Sequence, residues 1–543
     1  MLDNLRMFGR YAFGLRSFLK HTLTPEECRQ MIEDNLQHRE ENFLRILERG
    51  IYGNPKSPYR KLLAHAGTEF GDIARSVCEE GIEGTLERLY DAGVYVTLDE
   101  FKGRAPIQRP GLVLDVQPKD FDNPLLTKHY ESSTGGSRGV GTRIRVDFDF
   151  LAHRAAYEHL FLKAFHLLGR PIDVWRPVPP AISGLDLVLC VTKVGHPIER
   201  WFAQNAVTFK PGSTKYALFT SYAVYGSRLY GRSLPVPKPT PLDKADLVAR
   251  WLATKREKGT HAVLFTNVSS AVRVCLVAQS QKLDISGTFF RVGGEPYTHG
   301  KARVLAEAGC KAAPHYAMAE AGILGIPCAS PNALDDVHLG RDKLAVIQRE
   351  KPVGIGGLSV GALYYTTLLP SSPKLLLNVD SGDYATQEER DCSCLIGEIR
   401  FRQHLHTIRS YEKLTSEGMT FLGSELITLV EEVLPGRFGG HPTDYQLVEE
   451  EEEGLPRVRI YVSPRVGPVN EGEIIATILR VLHSYPGSKK MMADRWREAG
   501  TLRVVRAEPH STAAGKILPL HILREAETQR PWTLKKNFTP SSS

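Results

Sequence analysis

Residues Glu131 to Gly139 read ESSTGGSRG. Small residues at this density leave backbone N–H groups open to a ligand, and two chemistries claim the stretch. Gly135 to Gly139 fits G-x-S-x-G, in which a nucleophilic serine sits on a strand-to-helix elbow. The same residues also fit a loop whose amides and hydroxyls cradle a phosphate. The residues after the loop separate the two. Gly141-Thr142-Arg143-Ile144-Arg145-Val146 alternates as a strand does, and the helical pattern begins only near Phe150. A second G-x-S-x-G, Gly357 to Gly361, also runs into strand-like ALYYTTLL. Neither serine has the context of an elbow. A Gly/Ser/Thr loop between two strands suits a phosphate. It is not a Walker loop, because the Gly-Lys-[Ser/Thr] ending is absent.

Outward from this loop, the first 105 or so residues are helical in pattern, as in EECRQMIEDNLQHREENFLRILERG. The middle alternates strand-like LDLVLCVT, THAVLFTNV and GTFFRVGGEP with helical FLAHRAAYEHLFLKAFHLLG and GKARVLAEAGC. That alternation predicts an α/β domain with a largely buried sheet. From about residue 410 the texture changes. ITLVEEVLP and EGEIIATILRVLHSYPG read as helices, TLRVVRAEP as a strand, and DYQLVEEEEEGLPRVRIYV as a hairpin with its glutamates in a solvated turn. The expected architecture is a large N-terminal α/β domain, residues 1–408, and a smaller mobile C-terminal α+β domain, residues 409–543.

A chain of 543 residues is too long for one core. Its 42% hydrophobic and 24% charged residues are those of an ordinary soluble protein. No run of about 18 apolar residues suggests a membrane span. The charge of +7 is spread along the chain, without the dense basic block of a nucleic-acid binder. MLDNLRMFGRYAFGLRSFLK lacks an h-region and cleavage site, and reads as a helix packed on the body or touching a membrane peripherally. Eight cysteines without a secretory signal suggest a reducing, cytoplasmic setting. Cys328 and His338, followed by Cys392-Ser393-Cys394, supply three thiolates and an imidazole, which suit tetrahedral structural Zn²⁺; buried free cysteines are the alternative.

An ordered series of motifs resembles the adenylate-forming acyl-CoA synthetase/ligase superfamily, and within it the phenylacetate-CoA ligase-like branch. Ser132 to Gly139 resembles the phosphate loop. Gly293-Gly294-Glu295-Pro296 resembles the Gly-Gly-Glu segment along adenine. His315-Tyr316-Ala317-Met318-Ala319-Glu320 resembles Tyr-Gly-x-Thr-Glu, and Ser381-Gly382-Asp383 resembles Thr-Gly-Asp. Ile408-Arg409-Ser410 with Gly418 resembles the hinge region, and Ser511 to Ile517 the terminal Gly-Lys loop. The chain departs from the pattern at Arg138-Gly139, where Pro-Lys is usual, at Ala317 and Ala319, and at Tyr411, where an acidic residue is common.

The resemblance implies an ATP-dependent, AMP-forming ligase. A carboxylic acid, by family an aryl or arylacetic one, becomes an acyl-adenylate and passes to coenzyme A. An amine or a protein thiol is the alternative acceptor, and a non-catalytic nucleotide-binding protein the alternative class. Ser133, Thr134, Gly135 and Gly136 are implied to wrap the β- and γ-phosphates. Glu320 is implied to hold Mg²⁺, and Gly294, Glu295 and Tyr316 to flank adenine. Asp383 would accept the ribose hydroxyls, Arg409 would contact ribose or phosphate at the hinge, and Lys516 would bridge the acid and the α-phosphate. The acyl pocket is expected between residues 180 and 300, with VYGSRLYG facing it. In the branch, a cysteine and histidine after the Tyr-Gly motif and a C-x-C after Thr-Gly-Asp accompany one another, which implies Zn²⁺ at Cys328, His338, Cys392 and Cys394.

Overall fold

Helices fill the first hundred residues, as their periodicity predicts, starting with α1 (Leu2–Lys20). The computed structural model describes residues 2–126, 129–133, 143–179, 183–205, 207, 214–352, 359–411, 415–416, 419–420, 423–452, 455–484, 493, 496–497, 500–511 and 515–522. A hairpin pairs His129–Ser133 with Arg143–Asp147, Ser132 facing Ile144. The next helix, α2 (Phe148–Ala164), is capped by Asp147, whose side chain accepts the Asp149 N–H at 2.9 Å. Residues 134–142 thus connect two antiparallel strands, in line with the sequence reading.

The main sheet has twelve strands. They are β1 (Ile172–Trp175), β2 (Ile198–Ala203), β3 (Pro237–Pro239), β4 (Val263–Phe265), β5 (Phe289–Gly293) and β6 (Lys311–Met318), then β7 (Gly322–Pro327), β8 (Val337–Leu339), β9 (Leu344–Pro352), β10 (Ser359–Thr367), β11 (Val379–Glu389) and β12 (Gln403–Ser410). Their order is β9-β10-β11-β12-β8-β7-β6-β5-β4-β1-β2-β3. The β3-β2-β1-β4-β5-β6 half is parallel. The rest is antiparallel. Parallel strands are covered on both faces; every residue of β4 and β5 is buried, including Arg291, which pairs with buried Glu158 at 2.6 Å. Crossovers include α3 (Ser183–Lys193), α4 (Thr214–Gly226), α5 (Val268–Ser280) and α6 (His299–Glu307). The chain winds outward from β1 to β3, returns to β4 beside β1, and winds the other way. Such a reversal opens a crevice at the carboxyl ends of β1 and β4, where open α/β sheets bind ligands.

One element differs from the sequence reading. LDLVLCVT, expected as a strand, lies within helix α3. Its residues Leu185 to Val191 are all buried. A helix covered on every side needs no polar face, and a short apolar run then carries no period that separates it from a strand.

The C-terminal part has its own sheet, β13 (Tyr445–Glu452), β14 (Leu455–Val462), β15 (Leu502–Val505) and β16 (Leu520–Ile522), in the order β15-β14-β13-β16. Helix α7 (Glu471–Ser484) packs with it over a separate core that includes Leu426, Tyr445, Ile460, Ile478 and Trp496. The fold is therefore α/β, with a large N-terminal part and a smaller α+β part. The hairpin is present, but most of its glutamates are not in the turn. Glu449 to Glu452 are strand residues, and Glu450 stands opposite Arg457 in register. The boundary expected after residue 408 falls inside β12, which ends at Ser410. The two parts meet at a buried ion pair, Lys301 of α6 with Glu431, 2.8 Å apart and 1% exposed on each side. Thr298 also donates to Glu431. Gly300 permits the approach, because a Cβ there would lie 2.6 Å from the Glu431 carbonyl oxygen. Among the described residues no helix is long and apolar enough to cross a membrane.

Candidate active site

The crevice is built from residues that follow the parallel strands. After β1, Arg176 is buried and donates to the Thr266 carbonyl and to Asn267 Oδ1, both just after β4. Burial, with Arg291 and Arg154 nearby, pushes its pKa below the usual arginine value. After β5 come Gly294 and Glu295. Gly294 has φ +80°, a conformation that glycine adopts without cost. A Cβ there would meet Lys516 Nζ at 2.7 Å. Lys516 thus lies directly on the Gly294 backbone, although some 220 residues separate them in sequence.

Ser269, at the start of α5, ties the two segments together. Its hydroxyl donates to Glu295 and accepts the Ile517 N–H at 3.2 Å. An isolated bridge between Ser511 and Ile517 closes the loop that presents the lysine. Gln446 holds its base, donating to the Leu518 carbonyl at 2.7 Å and accepting the His510 N–H at 2.7 Å. Burial lowers the Lys516 pKa, Glu295 acts against that shift, and Arg176 adds to it. Burial raises the Glu295 pKa, against the opposing influence of Lys301, Ser269 and Lys516.

On β6, His315 is buried against the edge of Phe161, with ring centroids 4.7 Å apart. Burial and three arginines, Arg291, Arg154 and Arg176, drive its pKa well below the usual value, so the imidazole is neutral. The neighbouring Tyr316 donates its hydroxyl to Asp383 Oδ2 at 2.9 Å. Asp383 lies on β11, after Gly382 at φ +73°. A flat ring and an anionic acceptor therefore stand side by side. The ladder shifts register between Tyr316 and Ala317, where a bulge re-aims the strand.

Glu320 follows β6 and is buried, with Lys102 Nζ 2.6 Å from its Oε1. Burial pushes the Glu320 carboxyl up, but Lys102, with help from Lys374, outweighs that and holds the carboxyl below its usual range. An ionised buried carboxylate fits Mg²⁺, which takes one or two carboxylates and completes its shell with phosphate oxygens and water. Lys102 shares that charge. Arg409 on β12 pairs with Asp335 at 2.7 Å, and Asp335 also accepts the N–H groups of Thr407 and Ile408 at 2.9 and 3.0 Å. Tyr411 donates to buried Asp380. Thr134, Gly135, Gly136 and Gly418, and the side chain of Ser133, lie outside the described residues.

Cys328, His338, Cys392 and Cys394 come together, their ligand atoms all within 4.8 Å of one another. Cys328 Sγ lies 3.5 Å from Cys392 Sγ, and His338 Nε2 lies 3.0 Å from Cys394 Sγ. His338 Nδ1 lies 2.6 Å from the Phe401 carbonyl, which leaves Nε2 to face Cys394. The Ser330 N–H also points at Cys328 Sγ, 3.4 Å away. Donor chemistry, convergence and outer partners all fit tetrahedral Zn²⁺. A second set, Cys328, Asp336 and His404, overlaps it. Asp336 and His404 already pair with each other at 2.8 Å, and Arg390 holds Asp336 at 2.5 Å, so this set is a polar network.

The sequence reading missed Ser269, Arg176, Lys102 and Asp335. Ser269 and Arg176 had a signal, since each follows an apolar strand run at a carboxyl end. Lys102 and Asp335 had none, because their partners are distant in sequence. One expectation is reversed. In VYGSRLYG, Tyr225 and Leu229 are 57% and 81% exposed on the outer surface, so they do not turn inward to an acyl pocket.

No family model matches the chain, and no curated protein does. Among solved structures, a 2-hydroxyisobutyryl-CoA ligase in complex with 2-HIB-AMP and CoA is 16% identical over 90% of this chain and 88% of that one, with a TM-score of 0.44. The GH3.15 acyl acid amido synthetase is 10% identical over 86% and 90%, with a TM-score of 0.46. ATP-bound MatB from Rhodopseudomonas palustris is 12% identical over 71% and 65%, with a TM-score of 0.42. Likeness at this level decides neither family nor activity.

Proposed function

We propose that the chain is an ATP-dependent, AMP-forming ligase that activates a carboxylic acid as an acyl-adenylate and passes it to coenzyme A. The observation that carries this reading is the position of Lys516. It comes from the small C-terminal part and reaches the crevice where the strand order reverses, against Gly294 and within the fields of Glu295 and Arg176. The first step brings two anions together. A carboxylate oxygen attacks the α-phosphorus, the bond to the β-phosphate oxygen breaks, and pyrophosphate leaves. Charge gathers at one point, and a cation placed there in advance lowers the barrier. Lys516 and Arg176 supply that charge. The Tyr316 ring offers a face for a base, and Asp383 an acceptor for a diol. Glu320 would hold Mg²⁺, which when bound neutralises phosphate charge. Cys328, His338, Cys392 and Cys394 would hold Zn²⁺, which ties loops together and takes no part in the reaction.

Coenzyme A as acceptor rests on the motif series alone. The test is ATP–pyrophosphate exchange over a panel of carboxylic acids, followed by product analysis with coenzyme A and with amines. Exchange with at least one acid is expected. No exchange with any acid rejects the ligase reading.

A further inference from the structure

Helices α1 and α4 lie side by side and make one outward face. Inward, Phe8 stacks on Phe219 with centroids 6.0 Å apart, and the Tyr11 hydroxyl donates to the Phe219 carbonyl at 3.2 Å. Outward, Phe13 is 68% exposed, Leu218 49%, Tyr225 57% and Leu229 81%. These are half of the eight large hydrophobic residues exposed among the described ones. On α4 and the turn after it, Leu218, Tyr225 and Leu229 recur at positions i, i+7 and i+11, one helical stripe. Arg10, Arg16 and Lys20 of α1 and Arg228 after α4 are exposed as well. Arg228 sits over the Tyr225 ring, 5.7 Å from its centroid. No aspartate or glutamate occurs from residue 4 to 25 or from 200 to 242.

We propose that this face docks on an anionic phospholipid surface. Apolar and aromatic side chains exposed together mark an interaction site. Aromatic rings and leucines that project among arginines match the headgroup boundary, where rings enter the interface and basic groups stay with phosphates. Charge decides the occupant. A second copy of the chain would meet this face with the same positive charges, and like charges across an interface oppose association. The proposal is independent of the ligase reading.

The test is cosedimentation of the full chain with vesicles of phosphatidylcholine, alone and mixed with phosphatidylglycerol. Binding to the anionic vesicles only, and release by added salt, are expected. Arg10→Glu with Arg16→Glu should weaken binding by about fivefold or more per position, the scale of one basic residue at such a surface. Phe13→Ser with Leu229→Ser should also weaken it; both side chains are exposed, so the melting temperature should not move. Failure of the unaltered protein to bind anionic vesicles overturns the proposal, as does full binding by both double variants. So does a concentration-dependent dimer that Leu229→Ser disperses.

Discussion

Lys516 is pushed toward neutrality by burial and by Arg176, and kept charged by Glu295. Its folded pKa lies below the usual lysine value of 10.5. The signs for stability and for reaction are therefore opposite. Below the lowered pKa the half-buried lysine is charged, which disfavours folding; as pH rises through that value the folded chain releases the proton first and this cost is lifted. On the proposed function, adenylate formation would need the charge, so its rate should fall with rising pH before 10.5 is reached. Glu295→Gln should move that fall to lower pH, because it removes the anion that favours the charged lysine; a pH–rate profile of pyrophosphate exchange checks this. Lys516→Ala should leave ATP binding nearly intact and slow adenylate formation by about 10²-fold or more, the scale of one well-placed electrostatic group. Transfer from a supplied acyl-adenylate should change far less, and single-turnover kinetics of each half-reaction decides. Asp383→Ala should weaken ATP binding by about 1.5–3 kcal/mol, as for hydrogen bonds to a charged group. Unchanged affinity by calorimetry would reduce Asp383 to a partner of Tyr316.

Elements show where the sequence was legible. The thiol–imidazole cluster joins the loop between β7 and β8, from Cys328 to Asp336, to the short segment around Cys392 to Cys394. The protein should carry about one zinc per chain. Cys392→Ser with Cys394→Ser should remove it and lower the melting temperature; metal analysis of protein purified without chelator is the check. This cluster could be proposed from spacing because ligand atoms are rare and their chemistry is specific. The strands β4 and β5 were legible because each is a short, mostly apolar run, interrupted in β5 by Arg291. Helix α3 was not, because complete burial erased its period. The ion pairs of Lys102 with Glu320 and of Asp335 with Arg409 were not legible either. They are set by strand order, and a single sequence does not print which strands become neighbours. Tyr225 and Leu229 carried an aromatic and apolar signal, but which way a helix turns that face depends on what packs behind it.

At the scale of the whole molecule, the lysine that completes the crevice belongs to a part with its own core, so the site exists only while the two parts are seated together. Lys301 stands between them. It pairs with Glu431 across the junction, and its charge also acts on Glu295 in the crevice. One cation thus serves two acids on opposite sides of a seam. Removing Glu431 would strand a buried lysine, which typically costs about 3–5 kcal/mol. Glu431→Gln should therefore loosen the seating and speed limited proteolysis of the chain, and on the proposed function ATP should restore protection. On the proposed function, linkage would make the effect reciprocal: whatever favours the seated arrangement would tighten nucleotide binding, and nucleotide would favour seating by the same factor. On the proposed function, Glu431 would then govern apparent ATP affinity from the seam, and its neighbour Gly300, by admitting the Glu431 main-chain carbonyl so closely, would set how firmly the Lys516 charge is lent to the crevice.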